Sequence, residues 1–159
     1  MSQDPYGELK GLTRHRTRLI WRTANLGEPL SGKDARLVKA MREHPEHADL
    51  WGHLDELSDE QVERDGTNPV AHVNIHVAVE SQIANGEPKE TAQTVEALMR
   101  QGLSRHDAIH AVGTVLADEI YHILKDKRPF DEAGFVRKLK QLAKPGATRP
   151  RRRTKERFR

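Results

Sequence analysis

The chain has 159 residues, 35% of them apolar, no cysteine and a net charge of +3, which suits one domain with one core and excludes disulfide scaffolds and thiolate metal sites. It has no 18-residue apolar run and no charged start followed by an apolar stretch, so neither a membrane span nor a secretory signal is expected and cytoplasmic residence is the default. The charge is uneven: "RPRRRTKERFR" at the end carries seven Arg or Lys against one Glu, residues 28 to 65 carry eleven acids against five bases, and residues 1 to 26 are again basic.

Residues 8 to 24 place Leu9, Leu12, Leu19 and Ile20 at roughly helical spacing, with Arg14, Arg16, Arg18 and Arg22 among them. This predicts a basic amphipathic helix in an N-terminal extension, residues 1 to 30. Ser31 with Asp34 is a capping signature for a helix running to about Glu43, which Pro45 ends. A shorter helix is expected over 46 to 57, and "SDEQVERDGT" reads as a linker or surface loop.

"HVNIHVAVE" is ambiguous. Val73, Ile75, Val77 and Val79 alternate with other residues as in a half-buried strand, yet His72 and His76 are four apart, as on one helix face. Asn68-Pro69 is a helix start and Asn85-Gly86 a stop, and no partner strand can be found, so a helix over 69 to 84 is expected. Helices over 88 to 101, 105 to 126 (opened by Ser104 and Asp107) and 131 to 143 complete the reading. The expected fold is all-α, a helical bundle over 31 to 143 with up-down-up central helices and a disordered basic tail over 144 to 159.

Nine histidines are present, and two pairs form H-x-x-x-H: His72 with His76, and His106 with His110. Short connections would start both helices at the same end, which puts the two pairs within about one turn of a common level. Four imidazoles converging there suit one divalent transition ion, with Zn, Fe, Ni and Mn not distinguished. Neutral ligands leave the ionic charge uncompensated, and Glu80, one turn beyond His76, is the candidate carboxylate. The competing explanation is four histidines hydrogen-bonded in a boundary layer, at a cost of several kcal/mol for any left unpaired.

Enzymatic alternatives are less well supported. His106-Asp107 is the dipeptide of HD-type metal phosphohydrolases, but the other ligand spacings do not follow. Glu119 with His122 has the spacing of di-iron bundles, and a matching second motif is missing. If the chain is an enzyme, a metal-dependent hydrolase is the expectation, since no Ser-His-Asp or Cys-His arrangement or Gly-rich phosphate loop can be made out.

The motifs "HPEHADL", "NPVAHVNIHVAVESQI", "SRHDAIHAV" and "FDEAGFVRKLKQL", in this order over about residues 35 to 143, resemble the bacterial family catalogued as domain of unknown function 1841. By that likeness His72, His76, Gln82, His106 and His110 match the family pattern, and Glu80 stands where many relatives have Gln. The resemblance implies positions and no activity.

The tail residues Arg149, Arg151, Arg152, Arg153, Lys155, Arg157 and Arg159 suit contacts with nucleic-acid phosphates, with RNA or the ribosome as partner. The arginines at 14 to 22 either extend that surface or pair internally with the acidic segment at 28 to 65. Metal binding is the first reading of the chain, and RNA or ribosome association the second.

Overall fold

The computed structural model describes residues 5–147, with side chains from residue 13 onward. Among the described residues there are seven α-helices and no β-strand, and the fold is all-α. The chain packs as two compact units, one ending at Asn85 and the other starting at Gly86.

The first unit contains α1 (Pro5–Asn25), α2 (Gly32–Arg42), a 3-10 turn (Pro45–His47), α3 (Asp59–Val62) and α4 (Pro69–Asn85). Asn68 starts α4 by accepting the backbone N–H groups of Val70 and Ala71 through Oδ1 at 3.0 and 3.2 Å. Gly86 follows the last helical residue at a φ of +67°, a left-handed conformation that glycine adopts at little cost. Between these ends, Val73 and Val77 lie one turn apart on one face, and Ile75 and Val79 one turn apart on the other. The alternation that mimics a strand is thus two helical stripes.

Val70, Val73 and Val77 join Ile20, Leu37, Val38, Met41, Leu50, Trp51, Leu54 and Val62 in the core of this unit. Each buried aliphatic side chain is worth about 1.5 to 3 kcal/mol. α2 packs chiefly on α4, and α1 packs on both.

Three local expectations are corrected. Residues 46 to 57 do not form a helix: after the 3-10 turn the chain advances in i to i+3 turns, with His47 O bonded to Leu50 N, Leu50 O to His53 N and His53 O to Glu56 N. Those turns still bury Leu50, Trp51 and Leu54.

The expected surface loop at 58 to 67 holds α3. Ser58 and Gln61 form a reciprocal capping box there, and Val62 is fully buried. Ser31 does precede α2, but its side chain makes no capping bond, and Asp34 is instead held by Arg16 at 2.8 Å.

The second unit contains α5 (Lys89–Arg100), α6 (Arg105–Asp126) and α7 (Glu132–Leu142), which pack mutually. Ser104 caps α6 by accepting from Asp107 N at 3.1 Å, and Asp131 caps α7 by accepting from Gly134 N at 2.9 Å. Val95, Leu98, Ile109, Val112, Leu116, Phe135 and Leu139 are buried. Lys127 ends α6 in the left-handed conformation, and the chain then turns back into α7.

Candidate metal centre

His72 and His76 occupy the first two turns of α4, and their ring centroids are 4.8 Å apart. A third ring meets them. His44, just past the end of α2, is 4% exposed, and its centroid lies 4.8 Å from that of His72 and 5.2 Å from that of His76.

The hydrogen bonding of His44 settles which nitrogen faces the cluster. Its Nδ1 is 2.7 Å from Ala40 O. A carbonyl oxygen only accepts, so Nδ1 carries the proton and the Nε2 of the neutral ring carries a lone pair. That Nε2 is 3.0 Å from His72 Nε2, which is in turn 3.2 Å from His76 Nε2.

One ring nitrogen from each of the three histidines therefore lies within 4.8 Å of the others. Two nitrogens each about 2.0 to 2.1 Å from one ion stand about 2.9 Å apart at right angles and about 3.4 Å apart in a tetrahedron. The separations of 3.0 and 3.2 Å fall inside that interval. A backbone carbonyl on the far nitrogen of a ligating histidine is also the usual second-layer support.

Glu43 and Glu80 are placed differently. A carboxylate oxygen of Glu43 lies within 4.8 Å of a His76 ring nitrogen. Glu80 shares a recess with His76 and Glu43 without belonging to the mutually close histidine set. Glu46, on the 3-10 turn, has its carboxyl held below the usual range, mainly by a backbone hydrogen bond, with smaller contributions from His44, His47 and His72.

His47 stacks on His44, with centroids 6.4 Å apart and planes 10° apart, and sets its edge against Trp51. Neither His44 nor His47 has an i, i+4 histidine partner, so spacing alone did not single them out. Their shared signal is the "HPEHADL" motif.

In the second unit His106 and His110 stand on the first two turns of α6. Their ring centroids are 4.3 Å apart, and both are half-buried. The structure thus brings together the two members of each predicted pair.

Glu119 is engaged elsewhere. Both its oxygens accept from the Arg128 guanidinium, at 2.8 and 3.0 Å, and Oε1 also accepts from Asp131 N. His122 lies between Asp118 and Asp126 at 3.6 and 3.8 Å. The Glu119 and His122 motif is accounted for by this network.

Three of the arginines of α1 are also engaged. Arg14 donates to Leu57 O and pairs with Asp59, both at 3.0 Å, while Arg16 pairs with Asp34 at 2.8 Å and Arg18 with Asp55 at 3.2 Å. For Arg14, Arg16 and Arg18 the internal pairing with the acidic segment at 28 to 65 is found. The tail residues Arg149, Arg151, Arg152, Arg153, Lys155, Arg157 and Arg159 lie outside the described residues.

Fold and site together define a small all-α protein with a buried imidazole cluster. The family described as "Domain of unknown function (DUF1841)" matches residues 12–141, most of the chain, and the chain belongs to that family. The match begins well before the motifs that carry the resemblance and takes in most of α1. No curated protein and no solved structure matches.

Proposed function

We propose that this chain is a divalent transition-metal protein whose ion is held by Nε2 of His44, His72 and His76. One observation carries the reading: Ala40 O fixes the proton of His44 on Nδ1, and the lone pair left on Nε2 faces His72 Nε2 at 3.0 Å, which is itself 3.2 Å from His76 Nε2, both separations being those of neighbouring ligands on one ion. Three imidazoles and no thiolate suit Zn, Ni, Co or Fe(II) better than the hard ions Mg and Ca.

The ion has a structural consequence in this reading. His44 follows α2, and His72 and His76 belong to α4, so one ion fastens the end of one helix to the start of the other. His106 and His110 are proposed as a ligand pair of the second unit, on their i, i+4 spacing on α6.

Elemental analysis of the purified full chain tests this. Metal close to one ion per chain is expected in the unaltered protein, and its loss in a His44→Ala/His76→Ala variant. A parallel His106→Ala/His110→Ala variant shows whether that pair also ligates. Near-zero metal in the unaltered protein, after growth and purification with added zinc and without chelators, would sink the reading.

A further inference from the structure

His76 borders a recess of about 180 Å³ within the first unit. One wall comes from α2, through Arg36, Lys39 and Ala40, and from Glu43 just after it, and the other from α4, through His76 and Glu80. Ala40 is also the residue whose carbonyl holds His44, so the hollow adjoins the histidine cluster. By this measure one water needs about 10 to 15 Å³, so the hollow has room for an anion of five or more heavy atoms.

The charge around the hollow decides what enters it. The side chains alone balance, with Arg36 and Lys39 against Glu43 and Glu80. A divalent ion on the histidines tips that balance by two positive charges, and it is the largest local charge. Arg36 is already held in place, since its Nη1 donates to Ser81 Oγ on α4 at 3.3 Å and so keeps the guanidinium across the gap between the helices. A guanidinium has five N–H donors in a planar fork that matches phosphate geometry.

We infer that the recess binds a phosphoryl oxyanion, inorganic phosphate or a small phosphate monoester, beside the metal and against Arg36 and Lys39. This rests on the metal reading and adds a ligand to it. Dianionic phosphate answers a local charge of about two better than a monoanionic carboxylate of similar size.

The test uses the full chain loaded with one equivalent of Co(II), whose visible absorption reports changes around the ion. Inorganic phosphate should shift the bands and saturate, acetate should need at least about tenfold more, and Arg36→Gln/Lys39→Gln should weaken the phosphate response by about tenfold or more. Co(II) content and far-UV circular dichroism of that variant should match the unaltered protein. No phosphate response, an equal response to acetate, or a response untouched by the double substitution would each overturn the inference. Failure of the unaltered chain to take up Co(II) would remove the metal reading as well.

Discussion

Nδ1 of His44 stands 2.7 Å from the carbonyl oxygen of Ala40, one helical turn earlier. That bond turns the ring so that Nε2 faces His72, and it fixes which nitrogen carries no proton. His44 is thereby oriented before any ion arrives. Loss of such an outer partner typically costs about 10- to 100-fold in metal affinity, and loss of the ligand itself costs more.

Single substitutions should rank accordingly. His44→Ala, His72→Ala and His76→Ala should each lower zinc affinity by more than about a hundredfold in a competition titration against a chromophoric chelator. His53→Ala, at an exposed position bonded only to Glu56 among the contacts seen, should leave it unchanged. Equal losses for His53 and His44 would mean that the effect is general and the cluster is not the site.

Metal removal should loosen the first unit. An ion that binds only the folded chain adds about 2.7 kcal/mol when present at a hundred times its dissociation constant. For a unit of this size that is a rise in thermal midpoint on the order of 10 °C. Scans with added zinc and with chelator should differ by that amount in the unaltered protein and coincide in His44→Ala/His76→Ala. Coincident scans of the unaltered protein would argue against any clamp between α2 and α4.

The legibility of the sequence was uneven, for physical reasons. α4 and α6 announce themselves through local chemistry, Asn68 with Pro69 at one start and Ser104 at the other, and these caps form as expected. The pairs His72/His76 and His106/His110 are equally local, because i, i+4 spacing places them together on any helix. His44 is another matter. Twenty-eight residues separate it from His72, and only the packing of α2 on α4 joins them.

Residues 46 to 67 depart from their sequence signals for a related reason: Leu50, Trp51, Leu54 and Val62 are buried from turns and a four-residue helix, which leave no periodicity to read. Ser58 with Gln61 was a usable signal there, since it is a capping box directly ahead of Val62.

The docking of α1 should depend on burial more than on charge. Asp55 receives Arg18 at 3.2 Å and His15 at 3.3 Å, with its side chain 33% exposed. Exposed pairs of this kind are worth about 0.2 to 1 kcal/mol. Ile20 is 7% exposed in the core, and truncating such a residue to Ala costs about 2 to 5 kcal/mol. Urea unfolding should therefore show a small loss for Asp55→Asn that shrinks with salt, and a larger one for Ile20→Ala that does not. The reverse order would make α1 an electrostatically held element.

Acid should weaken the second unit through one carboxylate. Glu119 is 2% exposed, and the Arg128 fork is the main reason its carboxyl is held below the usual range, against the opposing effect of burial. A carboxyl depressed by folding contributes stability that is fully present above its unfolded value, near 4.3, and drains away as pH falls through the lower folded value. Glu119→Gln exchanges charge-assisted bonds for weaker ones and should cost on the order of 2 kcal/mol at pH 7. The deficit should hold down to about pH 5 and narrow as pH drops toward 3, because protonation weakens the same bonds in the unaltered chain. Urea midpoints of both proteins at pH 7, 5 and 3.5, followed by circular dichroism, measure it. A deficit independent of pH would show that Glu119 contributes by shape and packing, with its charge incidental to the fold.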